Sequence, residues 1–185
     1  MTVQVYKNFL PNTLMNQVLG HILEQPHRYG HTSKMSESVD NPRWYICELE
    51  QDIFFSRCML SFITDKVSNR LSLHKMYANI QYAGQNGGFH IDNFTPYSRT
   101  AILMLSKTLP KGSGTFQIKK EGYENKIETH DFEQNKLLFF KSTLSHRGNA
   151  PLEPGFPRVT LAFKMDMYTN DTSVMTRINN ITNKG

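Results

Sequence analysis

The spacing of apolar and polar positions changes character along this chain. Val3 to Phe9 reads as a short strand, and Pro11-Asn12-Thr13 then supplies capping chemistry for a helix carrying Leu14, Val18, Ile22 and Leu23 on one face. A second helix is predicted from about Asp52 to Leu71. Its apolar residues Phe54, Cys58, Phe62 and Ile63 recur at spacings of three and four, while Arg57, Asp65, Lys66 and Arg70 are left to face water. Between the helices, His27 to Pro42 is polar and turn-rich and reads as a mobile loop, and Trp44-Tyr45-Ile46-Cys47 reads as a short strand returning to the body.

From Leu73 onward, short apolar or alternating runs are separated by Gly, Pro and Asn turns, the pattern of an antiparallel sandwich or barrel. Strands are expected near 73–83, 88–92, 99–106, 114–119, 125–129, 135–140, 143–147 and 157–166. Eight short strands preceded by helices predict a mainly β chain with supporting α: a jelly roll, or double-stranded β-helix, flanked by N-terminal helices. One domain is expected over 1–185, with helical support in 1–72, the jelly-roll core in 73–166 and a polar Asn- and Thr-rich tail in 167–185.

Composition narrows the function classes. With 185 residues, 38% hydrophobic and 20% charged, the chain has enough apolar surface to close a core without disulfides. Its net charge of +5 comes from scattered basic residues rather than a dense run, so nucleic acid is not an expected partner, while gathering of small anions such as a dicarboxylate is permitted. The N-terminus lacks the apolar stretch of a signal peptide and no run reaches the length of a membrane span; a cytoplasmic protein with no membrane partner is expected. Cys47 and Cys58 lack the close pairing of a zinc ribbon or redox dithiol and read as free thiols.

The chemistry concentrates in Gly87-Gly88-Phe89-His90-Ile91-Asp92-Asn93. In a strand, positions i and i+2 share a face, so His90 and Asp92 can share one metal ion. Leu144-Ser145-His146-Arg147-Gly148 offers a third ligand, His146. Two imidazoles and one carboxylate form a facial triad that leaves the opposite face of an octahedral ion open, as a non-haem iron(II) oxygenase requires. A strand histidine by itself is more often a surface or satisfied core residue, so the company of these residues matters. Arg158 stands in Phe156-Pro157-Arg158-Val159-Thr160-Leu161-Ala162-Phe163, a mostly apolar strand in which a guanidinium calls for an anion. The distal carboxylate of 2-oxoglutarate meets that need, with Thr160 on the same face as a further donor; a structural ion pair with Asp or Glu is the alternative. His130 precedes Asp131 directly, so their side chains point to opposite faces, and His21, His27, His31 and His74 also read as non-ligands.

With these residues in place, the Leu73–Met165 region resembles the prolyl-4-hydroxylase-like branch of the iron(II)/2-oxoglutarate dioxygenases, over roughly half the chain. The matching stretches are Tyr82-Ala83-Gly84, Phe89-His90-Ile91-Asp92, Arg99-Thr100-Ala101-Ile102-Leu103-Met104-Leu105 and Gly112-Ser113-Gly114-Thr115-Phe116, followed by Leu137-Leu138-Phe139-Phe140, His146-Arg147-Gly148-Asn149-Ala150-Pro151 and Arg158-Val159-Thr160-Leu161-Ala162-Phe163. The resemblance implies His90, Asp92 and His146 as iron ligands, Arg158 as partner of the C5 carboxylate, and Tyr82 as a pocket wall near the cosubstrate. Met104 stands where some relatives place a tyrosine that supports the same carboxylate, leaving Thr100 and Thr160 as candidate second donors. It further implies Fe(II), 2-oxoglutarate, O2 and ascorbate as cofactors or cosubstrates, and hydroxylation of a prolyl residue in a peptide or protein lying across Asn93–Ser98 and His27–Pro42. Two alternatives stay open. One is a nucleic-acid demethylase of the same superfamily, weakened because Lys164 stands where that branch has an arginine; the other is a non-catalytic jelly-roll binding module.

Overall fold

The computed structural model describes residues 3–33, 42–68, 70–120 and 122–168. Most of the predicted polar tail, and 34–41 of the predicted loop, lie outside the described residues. The elements run β1 (Gln4–Tyr6), α1 (Asn12–Glu24), β2 (Arg28–His31), β3 (Trp44–Glu48), a π-helical stretch (Phe54–Met59) continuing into α2 (Leu60–Lys66), and β4 (Leu71–Gln81). They continue with β5 (Ser98–Met104), β6 (Phe116–Lys120), β7 (Tyr123–His130), β8 (Leu137–Lys141), β9 (His146–Gly148) and β10 (Arg158–Met167).

Two antiparallel sheets form the body. The larger has the order β1-β8-β5-β10-β4-β3-β2 and the smaller β7-β6-β9, the two-sheet jelly roll that the strand pattern predicts. Strand alternation on β10 explains how the layers are held. Val159, Leu161 and Phe163 point to one side, where with Met76, Ala78 and Ile80 of β4 they pack against Met15, Val18 and Ile22 of α1 and Phe55, Met59 and Ile63 of the second helical segment. Each such Leu or Phe, taken fully from water, contributes about 1.5–3 kcal/mol. Ala162 points the other way, into a smaller cluster between the sheets with Ile102, Met104, Phe116, Ile118, Leu138 and Phe140. Arg158, Thr160 and Lys164 share that inner side by strand alternation.

Several expectations are corrected. The predicted strand over 88–92 is an extended segment joined to β9 through a single bridge, His90 opposite His146. The predicted loop contains a strand, β2, paired with β3. The support region 1–72 also supplies strands to both edges of the larger sheet. On α1 the buried set is Met15, Val18 and Ile22, while Leu23 is half exposed and no side chain caps the N-terminus. On the second helical segment the buried positions are Phe55, Met59 and Ile63; of the predicted face Ile63 is buried as expected, Phe54 and Phe62 are only partly buried against the core, and Cys58 is exposed. Among the described residues no helix is long and apolar enough to cross a membrane.

Candidate active site

A cavity of about 290 Å³ opens between the sheets, and His90, Asp92, His146, Thr160 and Arg158 all line it. The metal-type side chains come together because the loop before β5 is laced to the β8–β9 region through the backbone. His90 donates its N–H to the His146 carbonyl at 3.0 Å, His146 donates back at 2.8 Å, and the Asp92 N–H reaches the Ser142 carbonyl at 3.0 Å. Ligand atoms of the three side chains consequently lie within 4.8 Å of one another.

The imidazoles are prepared for a cation. His90 Nδ1 lies 3.0 Å from the Gly88 carbonyl and His146 Nδ1 lies 2.8 Å from the Leu144 carbonyl. A carbonyl only accepts, so each Nδ1 carries the proton and each Nε2 presents a lone pair, the arrangement that orients metal-binding histidines. Those Nε2 atoms face Asp92, His90 at 3.4 Å from Oδ1 and His146 at 3.3 Å from Oδ2. His146 is buried and stacks on Phe116 at 5.5 Å between ring centroids; burial pushes its pKa down, against the pull of Asp92. Burial works to raise the Asp92 pKa, but the Lys164 ammonium outweighs it and holds the carboxyl well below the usual carboxylate range. Thr100 Oγ1 donates to Asp92 Oδ2 at 2.6 Å, and the Lys164 ammonium pairs with the same oxygen. The donor set, two neutral imidazoles around one ionised carboxylate, fits a divalent first-row metal.

Deeper in the cavity, Arg158 is 2% exposed. Its Nε donates to the Gly114 carbonyl at 3.0 Å and its Nη1 to Gln81 Oε1 at 2.7 Å. The guanidinium lies 5.4 Å over the Phe132 ring and against Gly148, where an added Cβ would stand 3.1 Å from both Nη atoms. Among the described residues no carboxylate pairs with it, so the alternative of a structural ion pair finds no partner there. Burial lowers its pKa only to about 10, which leaves it charged at neutral pH. A buried cation with neutral acceptors alone is costly unless an anion joins it.

The remaining candidates divide. Thr160 is buried on the cavity wall, directly across from Met104 in the adjacent strand. Thr100 instead serves Asp92 and shares a contact with Ser142 Oγ at 3.0 Å, so its hydroxyl supports the Asp92 carboxylate rather than the Arg158 end. Tyr82 does not line the cavity: it is 44% exposed and meets Tyr45 at 6.2 Å, because it follows Gln81 by one residue and so turns to the opposite face. His31, expected in a loop, joins the cavity wall with Trp44 and Tyr77 at 5.3 and 5.8 Å between ring centroids. Gln81 and Lys164 were not among the predicted site residues. The signal was present in β4, where Lys75, Tyr77, Asn79 and Gln81 alternate with Met76, Ala78 and Ile80 and mark a polar face toward the cavity.

No protein-family model matches the chain, and no curated protein does. Solved structures do. An oxidoreductase of the 2OG-Fe(II) oxygenase family from Burkholderia pseudomallei superposes with a TM-score of 0.70 at 9% identity, over 90% of this chain and 86% of that one. A prolyl hydroxylase from Trichoplax adhaerens, in complex with a peptide fragment of the hypoxia inducible factor oxygen degradation domain, gives 0.68 at 18% identity over 89% and 83%. The non-haem alpha-ketoglutarate-dependent epimerase SnoN from nogalamycin biosynthesis gives 0.68 at 11% identity over 90% and 77%. At these identities the likeness establishes a shared fold.

Proposed function

We propose that this chain is an iron(II)- and 2-oxoglutarate-dependent oxygenase in which His90, Asp92 and His146 hold the metal and Arg158 receives the distal carboxylate of 2-oxoglutarate. The observation that carries the reading is the pairing, in one cavity, of a two-imidazole, one-carboxylate set with a buried guanidinium that has no carboxylate partner among the described residues. A metal-binding module needs only the first feature. A keto-diacid that chelates through one end and carries a second carboxylate at the other accounts for both.

Bound iron(II) would supply the O2-activating chemistry that couples decarboxylation of 2-oxoglutarate to succinate with oxidation of a substrate C–H bond. The chain supplies orientation and charge. His90 and His146 present Nε2 because their Nδ1 protons are committed to carbonyls. Thr100 and Lys164 hold Asp92 Oδ2 and keep the carboxylate ionised and in one orientation. Arg158, aimed by Gln81 and Gly114, fixes the far end of the cosubstrate, and Thr160 adds a hydroxyl from the same face. Ile102 and Phe116 add apolar surface to the cavity lining.

The finer reading is hydroxylation of a prolyl residue in a peptide or protein, supported by the motif resemblance and by folds shared with prolyl hydroxylases. Anaerobic addition of iron(II) and then 2-oxoglutarate tests the main proposal. A weak visible charge-transfer band is expected only when both are present. Its absence at saturating concentrations overturns the oxygenase reading; a band without oxygen incorporation into proline-containing peptides overturns the prolyl one.

A further inference from the structure

Two lysines on the cavity wall have more positive charge than their partners neutralise. Lys75 of β4 and Lys164 of β10 are direct cross-strand partners. Both therefore project from one face, and both lie over the Tyr77 ring, at 5.8 and 5.7 Å from its centroid. Like charges placed opposite one another in a ladder destabilise it unless something answers them. Lys164 is answered by Asp92. Among the described residues Lys75 has as its charge partner only Glu48, whose Oε1 lies at 3.6 Å on a half-exposed side chain that Arg28 also contacts at 3.4 Å, and an exposed, shared contact of that kind contributes little.

The two lysines also mark a junction. A second cavity of about 290 Å³ shares Lys75, Asp92 and Lys164 with the first, and Asn93 and Ser142 also line it. Once a divalent metal draws on the Asp92 charge, and one 2-oxoglutarate carboxylate is matched to Arg158, both ammonium groups still face a centre with surplus positive charge. Beside them stands the aromatic wall of Tyr77, His31 and Trp44, suited to the less polar body of a ligand.

We infer that the substrate carries an anionic group, a carboxylate or a phosphate, that binds between Lys75 and Lys164 and sets which C–H bond faces the metal. The inference rests on the oxygenase reading and deepens it, making the lysine pair the determinant of substrate class. The anion neutralises the cross-strand repulsion, and its substrate's body lies along Tyr77 toward His90.

The test uses the full chain with less than one equivalent of Mn(II) and saturating 2-oxoglutarate, without O2. Inorganic phosphate and ¹³C-labelled propionate are added separately, and their ³¹P and ¹³C relaxation by the bound Mn(II) is followed. Saturable relaxation of at least one anion is expected, and the anion that saturates at the lower concentration identifies the group the substrate bears. Lys75→Gln and Lys164→Met should each weaken that anion's apparent affinity about tenfold or more, the scale of a lost charge-assisted hydrogen bond. Lys111→Gln, at an exposed loop position, serves as the control for general surface charge. All variants are compared at equal measured Mn(II) and 2-oxoglutarate occupancy. Failure of 2-oxoglutarate to bind sinks this inference together with the oxygenase reading. Normal 2-oxoglutarate binding with no saturable effect from either anion, or equal affinities in Lys75→Gln and Lys111→Gln, overturns this inference alone.

Discussion

Arg158 and Gln81 face each other across the seam of β10 and β4, Nη1 donating to Oε1 at 2.7 Å, while Gln81 Nε2 is held 2.8 Å from the Gln85 carbonyl. That second bond fixes which end of the amide meets the guanidinium. The arginine is thus aimed by neutral groups and keeps its full charge for a ligand. Arg158→Met should retain metal binding but lose affinity for 2-oxoglutarate by about 2–5 kcal/mol, as when one partner of a buried charge pair is truncated. Arg158→Lys should lie between, since an ammonium keeps charge without the planar fork. Titrating 2-oxoglutarate with Mn(II) in place of iron measures binding apart from turnover; unchanged affinity in Arg158→Met would remove the arginine from the cosubstrate site.

The backbone at Gly148 forms the floor under the guanidinium, and a Cβ there would stand 3.1 Å from Nη1 and Nη2. Gly148→Ala should therefore displace the head of Arg158 by a few tenths of an ångström, since the atoms nearest the added Cβ all belong to Arg158 and none to His90, Asp92 or His146. The expected signature is weaker 2-oxoglutarate binding with unaltered Mn(II) affinity. A loss of metal affinity of equal size would show instead that the alanine disturbs β9 and His146 as a whole.

His90 and His146 should differ in what they do for the fold. His146 is 2% exposed and packed between Phe116 and Phe140, whereas the His90 side chain is 28% exposed. Both alanine variants are expected to abolish succinate production. His146→Ala should additionally destabilise the metal-free protein by about 1–3 kcal/mol through the cavity it opens, while His90→Ala should change stability far less. Denaturant unfolding of both metal-free variants decides it, and equal destabilisation would contradict the packing difference.

Acid sensitivity should reach the cavity wall through His31, whose pKa is pushed down to about 4 by burial and by the nearby charges of Lys75, Arg28, His90 and Lys164. The unfolded chain binds this proton near pH 6.5 and the folded chain does not, so its contribution to stability is lost as pH falls from about 6.5 toward 4. His31→Phe should keep the aromatic wall and remove this part of the slope. Thermal unfolding of metal-free protein at pH 7, 5.5 and 4.5 would show it; parallel slopes for the two proteins would mean that His31 titrates normally.

Much of the candidate site was legible, in that the residues singled out lie together in one cavity, because their types are uncommon in the company they keep. His90, Asp92 and His146 follow from charge and spacing, and Arg158 from a guanidinium in an apolar strand. What failed was face assignment at the ends of strands. Tyr82 was expected in the pocket, yet Gln81, one position earlier, occupies that face; a slip of one residue exchanges inside for outside. The His90–Asp92 segment was read as a strand, but its geometry comes from a single bridge to His146 and from the Asp92 N–H on Ser142, long-range contacts that local periodicity does not encode. In the second helical segment Ile63 is buried as expected, but the first turns face the core through Phe55 and Met59 rather than Phe54 and Cys58, in a π-helical stretch that nothing in Phe54–Met59 marks.

The two threonines offered as second donors to the distal carboxylate now separate into different roles. Thr100 Oγ1 is spent on Asp92 Oδ2 at 2.6 Å, whereas Thr160 lies two residues beyond Arg158 on the same cavity face and opposite Met104, the position that lacks a hydroxyl. Thr100→Val should thus weaken metal binding, because Asp92 loses a hydrogen bond of about 1–3 kcal/mol to its charged oxygen, and 2-oxoglutarate affinity measured at saturating metal should change little. Thr160→Val should do the reverse, leaving Mn(II) affinity intact and weakening 2-oxoglutarate by a similar amount. Val matches the shape of Thr, so neither variant should open a cavity, and unfolding curves of the metal-free proteins provide that control. If Thr160→Val left 2-oxoglutarate affinity unchanged while Arg158→Met reduced it, the distal carboxylate would be held by Arg158 without a hydroxyl partner, and the departure at Met104 would be uncompensated.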